Sequence, residues 1–184
     1  GWSCESEFDL LSDVLSHFPI HTLIIHPRLR QDFYKGSVRR EVLEQYRGVF
    51  HCPLGYNGDI VTLNDIKRES TQGFSQLMVG RGLIADPALF RKAKGGSALT
   101  RTEFSDYTQA IFNSYCDAFG NLKNALMRMK EYWFFWHNLF NGAEKDVKRI
   151  YKAKTLEDYQ SACQQIFETY PMTSDAQFGW FKPL

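Results

Sequence analysis

Little in this chain would staple it, anchor it or export it. Its 184 residues hold four cysteines, Cys4, Cys52, Cys116 and Cys163, far apart and with no Cys-x-x-Cys pair. That spacing argues against a zinc site or a disulfide framework and for reduced thiols in a cytoplasmic protein. No metal is expected. No apolar run approaches the ~18 residues that would mark a membrane span, so no membrane partner is expected either. The N-terminus, Gly1-Trp2-Ser3-Cys4-Glu5-Ser6-Glu7, is acidic and has no signal-peptide pattern. It also lacks an initiator Met, so we expect the chain to begin inside a longer protein. Internal repeats and low-complexity tracts are absent.

What is present is an ordinary globular composition, 43% hydrophobic and 23% charged, with aromatics high at 15%. The net charge of +1 conceals an uneven distribution. Residues 1–90 carry 9 Lys+Arg and 11 Asp+Glu, residues 91–154 carry 12 and 6, and residues 155–184 carry 1 and 4. The basic middle-to-late region fits a polyanionic partner, or a solvated helical surface.

The first ninety residues alternate helix and strand. Apolar residues at Phe8, Leu10, Leu11, Val14, Leu15 and Phe18 follow a helical period over Glu7 to His17. Thr22 to Ile25 is a short apolar run ending in His26-Pro27-Arg28. Val38 to Phe50 reads as a helix leading to a strand near Cys52 to Tyr56, which ends in Asn57-Gly58-Asp59. Thr62 can cap a helix running to about Gln72. Gln76 to Val79 is a third strand, ending in Gly80-Arg81-Gly82, and Pro87 suits the start of a short helix through Lys94. Helix then strand, three times over, predicts a parallel sheet with crossover helices. In such folds ligands bind at the carboxyl ends of the strands.

Lys94-Gly95-Gly96-Ser97 reads as a hinge, dividing the chain into residues 1–95 and 96–184. Beyond Thr100 no strand is expected. Helices are predicted at Arg101–Phe119, Leu122–Phe140, Glu144–Tyr151 and Thr155–Thr169, separated by short Gly/Asn links that favour an antiparallel helical bundle. Pro171 ends the last helix, and Phe178-Gly179-Trp180-Phe181 is expected to pack back on the core.

Three strand ends carry candidate chemistry. Gly80-Arg81-Gly82 could bring backbone amides and a guanidinium to a phosphate, or be a plain strand-to-helix turn. Asn57-Gly58-Asp59 could hydrogen-bond a ligand, or be an Asn-Gly turn. His26 alone reads more simply as a surface turn.

Taken in order, "IIHPRLRQDFYKG", "YNGDI" and "LMVGRGLIADPALF" resemble segments of the tRNA-dihydrouridine synthase family, and "MRMKEYWFFWHNLF" resembles the start of that family's tRNA-binding bundle. The resemblance implies a fold that is α/β plus all-α: the C-terminal part of a (β/α)8 TIM barrel, its last three strands, followed by an antiparallel helical bundle. It implies FMN as cofactor, NADPH as reductant, tRNA as partner, and reduction of uridine to 5,6-dihydrouridine. Gly80 and Arg81 would bind the FMN phosphate; Asn57, Gly58 and Asp59 would contact the phosphate or ribityl region; His26 would sit near the flavin. Pro27 stands where the family usually has Gly, which stiffens that loop and removes a donor. The family's earlier strands and its proton-donating cysteine are not found. Cys52-Pro53 superficially resembles that cysteine's motif, but Cys52 is expected inside a strand, so no catalytic residue is assigned. This piece alone is expected to be inactive, and either to be a fragment or to complete its sheet by self-association, because three strands leave two open edges.

In the tail, Arg128, Lys145, Lys148, Arg149 and Lys152 are the candidate RNA contacts, the last four recurring on one helix face. Met129, Trp133, Trp136 and Phe140 fall three or four apart and read as a core stripe. Two other functions stay open: a non-catalytic RNA-binding module, and another FMN-dependent oxidoreductase with no RNA partner.

Overall fold

The computed structural model describes residues 3–33 and 36–176. The chain divides into two compact units, one ending at Gly80 and the other running from Arg81.

In the first unit helix α1 (Glu7–Ser16) precedes strand β1 (Leu23–Ile25), α2 (Arg40–Glu44) precedes β2 (Leu54–Asn57), and α3 (Leu63–Ser70) precedes β3 (Gln76–Met78). The strands form a parallel sheet in the order β1-β2-β3, with Ile25 opposite Tyr56 and Asn57 opposite Met78. All three therefore present their carboxyl ends on the same edge. Thr62 starts α3 with a reciprocal cap: its Oγ1 accepts from the Asp65 amide at 3.1 Å, and the Asp65 carboxylate accepts from the Thr62 amide at 2.8 Å. On α3 the carboxylate of Glu69, 1% exposed, accepts from Arg40 and from Arg68 Nε at 2.9 Å, joining α2 to α3.

The helix expected from Val38 to Phe50 is shorter. After Glu44 the backbone turns by three-residue bonds, such as Tyr46 N to Leu43 O and Val49 N to Tyr46 O, until Gly48 and Val49 lead out. Cys52 precedes β2 and is half-buried; it does not lie inside the strand as expected. Helix α1 packs Phe8 edge-on against Tyr46 with ring centroids 4.8 Å apart, while Leu10, Leu11, Val14 and Phe18 remain exposed.

The second unit is helical among its described residues: α4 (Arg81–Ala85), α5 (Leu89–Ala93), α6 (Arg101–Phe119), α7 (Leu122–Trp136), α8 (Glu144–Lys152) and α9 (Leu156–Thr169). The hinge expected at residues 94–97 lies inside this unit. Two contacts account for that: α4 packs on α7, and Arg91 on α5 reaches forward to Glu103 on α6 at 2.6 Å. Thr100 caps α6, and Gly120 ends it in the left-handed region at φ 57°, where a side chain is disfavoured. Asn121 then caps α7, accepting from the Lys123 amide at 2.8 Å. The helix expected to reach Phe140 gives way after Trp136 to a tight 3-10 turn over His137–Leu139.

The core stripe read from the sequence is buried: Met129, Trp133, Trp136 and Phe140 are each 2% exposed or less. Phe104 meets Trp136 edge-on, centroids 5.5 Å apart, and Trp133 Nε1 donates to Tyr159 Oη at 3.0 Å. Burial pushes the neighbouring Cys163 thiol up to about 12. After α9 the chain returns across α7: Met172 bridges Phe140, and the Thr173 amide donates to Leu139 O at 2.8 Å. Lys92 Nζ holds this segment by donating to Ser174 O at 2.5 Å, and the same nitrogen pairs with the buried Asp86 carboxylate at 2.5 Å. The expected packing of Phe178–Phe181 lies outside the described residues.

Candidate functional site

The carboxyl ends of the three strands are linked sideways. His26, the residue after β1, is exposed and has Nδ1 2.9 Å from Asn57 O at the end of β2. Asn57 in turn donates from Nδ2 to Met78 O, at the end of β3, at 2.6 Å. The structure thus brings His26, Asn57 and the residues just before Gly80 onto one edge.

Behind that edge lies an ion pair. Arg28, whose side chain is 3% exposed, donates from Nη2 to Asp59 Oδ2 at 2.7 Å and to Gly36 O at 2.8 Å. The pair ties the turn after β1 to the turn after β2. Asp59 sits at φ 45°, an uncommon region for a residue with a side chain, held by this contact. The sequence reading placed Arg28 inside a motif without giving it a role. Two residues 31 positions apart share no local pattern, so only the fold reveals the pair.

The two glycines differ in kind. A Cβ at Gly58 would stand 2.6 Å from Tyr56 Oη and 2.8 Å from Val38 Cγ1, so this glycine is required by packing. A Cβ at Gly80 would meet nothing within 4 Å, so the backbone there borders open space. Arg81 opens helix α4 rather than extending a loop.

Among the described residues, no group of three or more His, Cys, Asp and Glu could hold a metal ion. None of the described helices is long and apolar enough to cross a membrane.

In the helical unit, Lys145, Lys148, Arg149 and Lys152 are all exposed on α8, opposite the buried Val147 and Ile150. Arg149 Nη1 lies 3.5 Å from Asp146 Oδ1. Neighbouring like charges at i,i+3 and i,i+4 repel one another. Arg128 is more nearly neutralised, with Nη1 2.8 and 3.0 Å from the two Glu131 oxygens. Lys130 is committed elsewhere: its Nζ donates to Ala153 O at 2.5 Å and to Tyr151 O at 3.3 Å, at the C-terminal end of α8, where a cation is favoured.

Comparison with known proteins adds an independent line. A tRNA-dihydrouridine(16) synthase of Neisseria meningitidis serogroup B is 25% identical over 146 residues, covering 76% of this chain and 44% of that protein. One from Pseudomonas syringae pv. tomato is 34% identical over 71 residues, 38% of this chain and 22% of that protein. A probable tRNA-dihydrouridine synthase of Rhodobacter capsulatus is 29% identical over 110 residues, 55% of this chain and 34% of the relative. The chain spans less than half the length of these curated relatives. The family model for dihydrouridine synthase (Dus) matches residues 3–175, almost from end to end. With the three strand-end motifs in order on one parallel sheet, that match identifies the chain as a member of the dihydrouridine synthase family.

Proposed function

We propose that this chain is the C-terminal portion of an FMN-dependent tRNA-dihydrouridine synthase. The protein it belongs to reduces uridine to 5,6-dihydrouridine in tRNA, with NADPH as reductant. The observation that carries the reading is the family match over residues 3–175, joined to three parallel strands that end in the HPR, NGD and GRG segments. In this reading β1, β2 and β3 are the last strands of a (β/α)8 barrel, and α6 to α9 form an antiparallel bundle that orients the RNA. The names of the two relatives given above for Neisseria and Pseudomonas favour position 16 of tRNA as the target.

Bound flavin supplies the hydride, and the protein positions it. Gly80, whose backbone borders open space, and Arg81, with its guanidinium charge, are the proposed phosphate contacts. Gly58 and Asp59 shape the adjoining turn, with Asn57 and His26 beside it. No residue of this chain is assigned the proton-donating role. Arg128, Lys145, Lys148, Arg149 and Lys152 are the proposed RNA contacts, with the α8 face foremost. The open sheet edges and the exposed apolar side chains of α1 are covered by further protein, either more of the same polypeptide or a second copy.

Two measurements test this. The purified chain is mixed with FMN, freed of excess and examined by visible absorption; flavin is retained by the unaltered chain and lost in Arg81→Ala. Binding of tRNA is followed by fluorescence anisotropy across a salt series. Lys148→Ala with Arg149→Ala weakens binding and makes the log K against log salt slope shallower by about 2. An unchanged slope would remove α8 from the RNA interface.

A further inference from the structure

Helix α8 has two flanks where its buried seam meets its basic face, and they are unlike. On one stands Asp146, three residues before Arg149 and four before the buried Ile150. Its carboxylate is occupied, accepting from Tyr170 Oη at 2.8 Å and lying 3.5 Å from Arg149 Nη1. On the other stands Tyr151, three residues after Lys148 and four after the buried Val147, with its side chain 41% exposed. The other tyrosines of the helical unit are all engaged. Tyr107 meets Trp136 edge-on, Tyr115 and Tyr132 bond hydroxyl to hydroxyl at 3.0 Å, Tyr159 accepts from Trp133, and Tyr170 donates to Asp146. Among the described residues, the Tyr151 side chain has neither a hydrogen bond nor a ring contact. Its backbone is nonetheless fixed, because Lys130 Nζ on α7 donates to Tyr151 O at 3.3 Å. A lone exposed aromatic needs no ligand to explain it. What distinguishes this one is its place at the margin of a face that carries Lys145, Lys148, Arg149 and Lys152.

We infer that Tyr151 is a stacking platform for an unpaired base of the RNA whose phosphates the α8 cations hold. The inference rests on the RNA-binding reading of α8 and divides the labour within it. The cations supply salt-dependent attraction to any phosphate backbone, whatever its sequence or pairing. The tyrosine ring adds a contact that only a free base face can make, so it selects unpaired nucleotides over duplex. The two flanks of the helix then have opposite effects: the base lies on the Tyr151 side, and the Asp146 carboxylate keeps phosphates from the other.

Three fluorescein-labelled probes test this by anisotropy with the full chain: a tRNA transcript, a single-stranded oligouridylate and a blunt RNA duplex. Tyr151→Ala is expected to weaken binding of the tRNA and the single strand, roughly five- to hundredfold for one lost stacked base. Duplex binding stays as it was. The slope of log K against log salt also stays, because a neutral side chain releases no counterion. Tyr151→Phe keeps the ring and is expected to bind the single strand as the unaltered chain does. An equal loss on the duplex, no loss on the single strand, or a loss in Tyr151→Phe as large as in Tyr151→Ala would each overturn the stacking role. If Lys148→Ala with Arg149→Ala weakens binding while Tyr151→Ala does not, the stacking role alone falls. If the unaltered chain binds none of the probes, the RNA reading of α8 falls and takes the stacking role with it.

Discussion

At Gly58 a single hydrogen atom stands where any side chain would collide with Tyr56 and Val38. Tyr56 is held by the fold: it is 2% exposed and stacks on Phe74 with centroids 5.1 Å apart. Gly58→Ala therefore overpacks a site that cannot give way cheaply and is expected to cost about 1–3 kcal/mol. A lower urea midpoint at unchanged m-value would show it. Gly80→Ala, bordering open space, is the control that leaves stability nearly unchanged. The sequence marked both glycines alike, as members of short turn motifs. It could not separate one required by packing from one that borders open space, because that distinction depends on side chains from other elements. The same holds for Arg28 and Asp59, whose pairing is visible only after β1 and β2 lie side by side.

Among the elements, those bounded by local chemistry were legible in the sequence. Helix α6 runs from Arg101 to Phe119 as expected, because Thr100 with Glu103 closes its start and Gly120 takes the left-handed turn at its end. Helix α2 has no such boundary signals, and its early stop follows from the turn that delivers the chain into β2. The start of α6 also carries a pH-dependent contact. The Arg91 guanidinium beside Glu103, aided by the Thr100 amide, holds its carboxyl down at about 2 against an ordinary 4.5. A carboxylate whose pKa falls on folding stabilises the fold fully above its ordinary value and loses that contribution as pH drops toward the folded one. The thermal midpoint is expected to fall as pH goes from about 4.5 to about 2. Glu103→Gln should be less stable near neutrality and flatter across that interval, as calorimetry at several pH values would reveal.

Over the whole molecule, the unevenness of surface is the main feature. Leu10 is 76% exposed, Phe18 63% and Val14 53%, all on or beside α1 and on one side of it. An apolar stripe of that kind is ordinarily covered. The chain alone is expected to self-associate through this surface. Leu10→Glu with Val14→Glu should shift it toward the monomer in sedimentation velocity, and an unchanged distribution would move the association elsewhere. The helical unit shows a different dependence. Its interior is finished by residues far from its beginning: Ala176 is 1% exposed in a core that starts at Phe104, and Met172 and Ser174 are fastened to Phe140 and to Lys92. During synthesis, α4 through α9 can emerge from the ribosome and form turns of helix. Their shared interior stays open until the stretch around 172–176 is also free of the exit tunnel. For that interval Trp133, Trp136 and Phe140 are the surface most in need of a chaperone.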